Sequence, residues 1–181
     1  MRRLPHVPTD LVSRAVPLAG RDPTFGWELR SQGELVQHLE HHYHAGVRRD
    51  LPMLVELARR VEHDRASHHA VPVGLADLLA GFAAELDVHM SKEETVVFPM
   101  LRGGARGGAL DMPIRMMERD HDGHTERLER IREATGYLQA PPDAGPTWKA
   151  LYAGLAALEM ELREHIYLED AVLFARAIGE R

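Results

Sequence analysis

Residues 75–100 read LADLLAGFAAELDVHMSKEETVVFPM, and the spacing within them decides the fold. Leu75, Leu79, Phe82, Leu86, His89, Glu93, Val96 and Met100 fall at alternating steps of four and three. That spacing marks one face of a helix packed lengthwise against other helices; a strand would alternate at every second residue. Two members of the stripe are out of character. His89 and Glu93 stand where an apolar seam calls for leucine. A second stripe repeats the plan with Leu151, Leu155, Leu158, Leu162, His165, Glu169 and Val172. His165 follows His89 by 165 − 89 = 76 residues, and the same interval separates Glu93 from Glu169, Phe98 from Phe174 and Glu85 from Glu161. His44 and His121 make a further pair, 121 − 44 = 77 residues apart.

Outward from these stripes the chain reads as four long helices. The first is predicted from Ser31, where Ser31-Gln32-Gly33-Glu34 has capping-box spacing, to about His63, with a kink at Pro52. The second runs from about Val73 to Leu101, bends at Pro99 and ends in the glycine-rich segment Gly103–Gly108. That segment is no phosphate cradle, since no Lys-Ser/Thr follows it and no strand precedes it. The third opens near Asp111 or Pro113 and runs to about Leu138 on a stripe of Ile114, Met117, His121, His124, Leu128 and Ile131. The fourth starts at Thr147, read as its N-cap, after a proline-rich turn from Gln139 to Pro146. Short connections make neighbours antiparallel. The fold class is therefore all-α, an antiparallel up-down four-helix bundle over residues 31–181. Residues 1–30 carry Pro5, Pro8, Pro17, Gly20, Pro23 and Gly26 and read as an irregular N-terminal lead, extended or with one short helix from Thr9 to Val16. Trp27 either pins this lead to the body or fills a gap.

Composition narrows the chemistry. A chain of 181 residues with 44% apolar content can bury a core as one domain. Its net charge of −6 supplies no basic surface for nucleic acid. With no cysteine, disulfides, thiolate zinc sites and thiolate-held iron–sulfur clusters are excluded within this chain. No apolar run is long enough for a membrane span and no secretory leader is visible, so a cytoplasmic protein without membrane partners is expected.

The histidines and glutamates of the stripes point to metal. Spacing of four residues puts His89 with Glu93, and His165 with Glu169, on one helix face. In an up-down bundle the second and fourth helices are parallel, so the two pairs meet at one height. His44 and His121 join them from the other two helices. Burying two unpaired carboxylates costs several kcal/mol each, against roughly 1.5–3 kcal/mol returned by a buried leucine. Lys and Arg are absent from the seam positions, so metal cations must compensate. Two ions bridged by Glu93 and Glu169, each with two imidazoles, satisfy the set His44, His89, Glu93, His121, His165 and Glu169. Mixed imidazole and carboxylate ligation with open positions suits two non-haem iron ions with an oxo or hydroxo bridge; manganese fits less well, and zinc would gain nothing from the redox chemistry. No catalytic group separate from this set is expected. His124 is read as an added ligand or as a hydrogen-bond partner of Glu161. Glu85 and Glu161 either orient ligands, line a polar path to the metals, or form a solvated flank. His41 is a surface residue or a neighbour of the ligands, and His68 and His69 are read as solvated.

The order H…HxxxE…H…HxxxE on four helices resembles the hemerythrin-like (HHE cation-binding) domain. More closely, the chain is similar to the di-iron repair-of-iron-centres (RIC) family. The segments that carry this are Tyr43-His44 with Arg48 and Leu51-Pro52; His89-Met90 with Lys92-Glu93-Glu94 through Phe98-Pro99-Met100-Leu101; and Pro113-Ile114, Met117-Glu118 and Asp120-His121-Asp122. Pro141-Pro142, Thr147 to Tyr152, and Glu164-His165 to Glu169 complete it. The resemblance implies a di-iron site on the same six residues, with Tyr43 among their neighbours, and a stress-response role in restoring iron–sulfur clusters damaged by nitric oxide or oxidants. Iron donation and the binding or reduction of nitric oxide are the implied activities, with iron–sulfur proteins as clients. Longer members of that family carry an N-terminal domain with a cysteine pair, which this chain lacks, and His124 stands where the family often has a small residue. The ferritin-like Glu-x-x-His pattern is met once, at Glu118 and His121, where two are needed. Two other functions stay open at this point: an oxygen- or nitric-oxide-binding sensor without turnover, and an enzyme that activates oxygen or peroxide at the open metal positions.

Overall fold

The computed structural model describes residues 26–179, so the helix expected over Thr9–Val16 lies outside the described residues. Four rods make an all-helical bundle, with no strand among the described residues. The first rod is α-helical over Gln32–His38, π-helical over Leu39–His44 and α-helical again over Ala45–Asp64. The second is α-helical over Leu75–Lys92, π-helical over Glu93–Val97 and α-helical over Phe98–Arg102. The third is one α-helix, Gly108–Ala134. The fourth is α-helical over Pro146–Tyr167, π-helical over Leu168–Phe174 and closes with Ala175–Ile178. Rods one and two, one and four, two and three, and three and four are neighbours, which leaves two and four on a diagonal. None of these helices is long and apolar enough to cross a membrane.

Local chemistry explains the ends. Ser31 Oγ accepts from the Glu34 amide while Glu34 Oε2 accepts from the Ser31 amide, the reciprocal capping box expected there. Pro52 lies inside the first rod without ending it. The second rod begins at Leu75, after Gly74 at φ 82°, and Val73 is exposed outside it. The third rod starts earlier than expected, at Gly108, and Pro113 sits inside it. It also stops earlier, at Ala134. There the Thr135 hydroxyl donates to the Ile131 and Arg132 carbonyls, and Gly136, Tyr137 and Leu138 all take positive φ. Thr147 is not the N-cap of the fourth rod. Gly145 holds that place, because Pro146 can open a helix without an amide to satisfy.

The core forms two apolar clusters. One joins Leu54, Ala58, Leu75, Leu79, Phe82, Trp148, Leu151 and Leu155. The other joins Leu35, Leu39, Tyr43, Val97, Phe98, Leu110, Ile114, Leu168 and Phe174. At the first, Gly154 lets rods one and four close up, since a Cβ there would lie 2.6 Å from Leu54 Cδ2. Trp27 packs on the second cluster and stacks on His38 with ring centroids 4.3 Å apart, so it does pin the start of the described chain to the body.

The π-turns correct one part of the sequence reading. The three-four spacing carries the stripe from Glu93 to Val96 and Met100. An uninterrupted α-helix would place it so, but each π-turn inserts an extra residue and rotates the helix beyond it. Val97 and Leu101 are buried instead, Val96 is exposed and Met100 half-buried.

Candidate metal centre

The six residues singled out from the sequence converge. His44, His89, Glu93, His121, His165 and Glu169 each expose no more than 2% of their surface. Glu93 opens the π-turn of the second rod, Glu169 lies in that of the fourth, and His44 closes that of the first. Three of the six thus lie in π-turns, which recur at functional positions. The side chains resolve into two groups of four, His44, Glu93, His165 and Glu169, and His89, Glu93, His121 and Glu169, with the donor atoms of each group within 4.8 Å of one another. Both glutamates belong to both groups.

The distances describe a closed polar layer. His165 Nε2 lies 2.9 Å from Glu169 Oε1, and His121 Nε2 lies 3.1 Å from Glu169 Oε2. His44 Nε2 and His89 Nε2 are each 3.4 Å from Glu93 Oε2. His121 Nε2 and His89 Nε2 stand 3.1 Å apart. Despite this crowding, both oxygens of Glu93, Glu169 Oε2 and His44 Nε2 are buried with no hydrogen-bond partner. Buried acceptors left unpaired cost about 1–3 kcal/mol each, and more when charged. A donor set of imidazole nitrogens and carboxylate oxygens, orphaned together around one volume, fits divalent or trivalent metal ions.

The electrostatics carry the same message. Burial, then the negative charge of Glu169, pushes the Glu93 carboxyl well above its usual range. Burial also opposes ionisation of Glu169, but His165 and His121 outweigh it and hold that carboxyl well below the usual range. Burial pushes His89 down to about 3 and also lowers His44. For His121 burial is outweighed by Asp170 and Glu169, which raise it to about 9. Two adjacent carboxylates driven in opposite directions are what like charges sharing one buried site produce.

Beyond the six, three carboxylates hold the imidazoles from behind. His44 Nδ1 donates to Glu94 Oε1 at 2.8 Å, His121 Nδ1 to Asp170 Oδ1 at 2.8 Å, and His89 Nδ1 to Asp120 Oδ2 at 3.4 Å. Each bond fixes the tautomer that turns the Nε2 lone pair inward. Glu94 is itself gripped by Arg48, with contacts of 2.6 and 3.1 Å, and Asp120 accepts from Lys92 Nζ at 2.8 Å. Sequence reasoning gives Glu94 and Asp170 no role, although the signal is present: each directly follows a shared glutamate, and they too are 170 − 94 = 76 residues apart.

The remaining candidates fall around this layer. His124 is buried outside both groups of four; its ring meets His89 edge-on at 4.7 Å, and its Nδ1 has no partner. Burial, then His121, pushes it down to about 4. Tyr43 stacks on His165, ring centroids 5.3 Å apart and planes within 6°. Burial, then Glu164 and Glu161, raises its hydroxyl. Glu161 Oε2 lies 3.7 Å from where a Cβ would stand on Gly46. Glu85 is half-exposed and ion-paired with Arg127. Together with Lys92, Asp120 and His124 these two line an open cleft of about 610 Å³ between rods two and three. His41 is exposed, as is His69, while His68 is partly covered by Asp143 and Trp148.

Residues 34–177 match the hemerythrin HHE cation-binding domain. The chain belongs to the hemerythrin HHE cation-binding family. Among its relatives are proteins named iron–sulfur cluster repair protein YtfE. Those of Citrobacter koseri and Escherichia coli O157:H7 are 41% identical, and that of Enterobacter sp. (strain 638) is 42% identical. Each match spans 153 residues, 84% of this chain and 69% of the relative. The hemerythrin-like bundle and the likeness to the repair-of-iron-centres family, both read from the motifs, are borne out.

Proposed function

We propose that this chain is a non-haem di-iron protein that supports the repair of iron–sulfur clusters damaged by nitrosative or oxidative stress, by donating iron and reacting with nitric oxide. The observation that carries it is the pair of four-residue groups sharing Glu93 and Glu169, with their inward-facing oxygens unpaired in the core. His44 and His165 would hold one ion and His89 and His121 the other, with Glu93 and Glu169 available to both. Iron in this setting supplies redox chemistry and open coordination positions for a small diatomic ligand.

The chain's own residues do the rest. Glu94, Asp120 and Asp170 hold three imidazoles in the ligating tautomer. Phe98 and Phe174, ring-stacked against His44 and His121, keep water from one side of the layer. The cleft beside His124 brings solvent to Asp120, on the outer edge of His89. The relatives named for iron–sulfur cluster repair support iron–sulfur proteins as clients. The test is direct. An iron–sulfur enzyme inactivated with nitric oxide is incubated with the iron-loaded protein, and recovery of its activity is measured. Recovery that requires iron loading and is lost with Glu169→Ala is expected; no recovery from a fully loaded sample would contradict the reading.

A further inference from the structure

We propose that the two metal positions are unequal, and that the ion held by His44 and His165 is the one released first, with His165 as the ligand that lets go. This rests on the di-metal reading above and adds to it a direction of release.

The asymmetry lies behind the imidazoles. His89 and His121 both donate from Nδ1 to a carboxylate, Asp120 and Asp170. On the other side His44 alone does so. His165 Nδ1 is buried and has no hydrogen-bond partner. Its neighbour Tyr43 stacks parallel to the imidazole, planes within 6°, and supplies no acceptor to Nδ1, whose N–H points outward in the ring plane. A carboxylate behind a ligating imidazole raises its basicity and fixes its tautomer, and losing one such partner typically costs 10–100-fold in metal affinity. Cations temper one acceptor on each side. Arg48 binds both oxygens of Glu94 behind His44, and Lys92 binds one oxygen of Asp120 behind His89. Each side thus has one cation-bound acceptor, and the remaining difference is His121, backed by Asp170, against His165, backed by no acceptor. One half of the centre therefore has two carboxylate-backed imidazoles and the other has one. Because Glu93 and Glu169 belong to both halves, the ion of the weaker half could leave while both glutamates stay with the stronger.

The full chain is loaded anaerobically with two equivalents of ferrous iron and challenged with a graded chromophoric chelator. Samples from each stage are crystallised for anomalous diffraction at the iron edge. Two steps are expected in solution, separated by about 10–100-fold in chelator concentration. In the crystals the position beside His44 and His165 should lose occupancy first. Asp170→Asn, which removes the carboxylate behind His121, should narrow the gap about ten-fold or more. Equal loss from both positions, or earlier loss beside His89 and His121, overturns the inference, as does an Asp170→Asn protein with an unchanged gap. The wild-type occupancies decide the matter even if the variant does not fold. Failure to find two ions on these ligands in the fully loaded crystal would instead sink the di-metal reading itself.

Discussion

The two ends of this bundle are packed from the same classes of residue, yet they are built differently. Around Leu54, Leu79, Phe82 and Trp148 the rods are regular α-helix, and the seams keep the three-four rhythm of the sequence. Around Leu39, Val97, Phe98 and Phe174 three of the four rods pass through π-turns. The polar layer of four imidazoles and two glutamates sits between them. The difference separates two tasks. The regular end holds the rods together by apolar burial alone. The π-turned end carries Glu93, Glu169 and His44 within its turns, and beyond Glu93 the extra residue brings Val97 rather than Val96 into the apolar packing.

That contrast can be broken most forcefully at the regular end. Leu79→Ala removes a fully buried side chain and should cost about 2–5 kcal/mol in urea unfolding, by the same amount with and without metal. A metal-dependent cost would mean the two ends are not separable. At the polar layer the sign depends on the metal. Glu93→Leu removes a buried acceptor that has no partner, so the metal-free protein should gain stability, by about 1–4 kcal/mol. The same change should abolish tight uptake of two ions, as read by calorimetry. Destabilisation of the metal-free form would show that Glu93 is already satisfied within the protein.

Acidity sharpens the comparison further. His89 is pushed down to about 3 and His124 to about 4, against an ordinary value of 6.5. Below 6.5 the unfolded chain binds protons at these imidazoles that the fold refuses, so the metal-free protein should lose stability steadily as pH falls from 6.5 towards 3. His121 acts in the opposite sense. Raised to about 9, it contributes stability that is fully present below 6.5 and lost as pH rises through 9. Hydrogen exchange should show the loosening first in the polar layer, and a uniform response along the rods would count against it. The smallest effect is expected at the first rod's start, where Ser31→Ala removes the capping-box acceptor and should cost about 1 kcal/mol in thermal unfolding, independent of metal and of acidity above pH 6.

Much of the fold and of the site is legible in the sequence because the seams are periodic and the exceptions to them repeat. Leu75 to Glu93 and Leu151 to Glu169 need only counting at three and four, and the ligand candidates are the polar residues that interrupt the count. The illegible parts have physical causes. A π-turn leaves no composition signal in Glu93–Val97, so the count runs one residue out of phase beyond Glu93 and selects Val96 over Val97. The rod ends are decided by competing caps. Gly145 with Pro146 displaces Thr147, and the Thr135 hydroxyl ends the third rod before Leu138. The carboxylates behind the imidazoles are hidden differently. Glu94 and Asp170 each stand one residue after a shared glutamate, which on a helix points them some 100° away, and only the packing of neighbouring rods brings them to His44 and His121.

The central claim is that four rods bring six side chains around two ions held jointly by Glu93 and Glu169. Diffraction from the fully iron-loaded protein, recorded on both sides of the iron edge, tests it most directly. The account predicts two anomalous peaks about 3.5–4 Å apart, one against His44 and His165, the other against His89 and His121, with a glutamate reaching both. A single peak, or iron bound anywhere else, would contradict it.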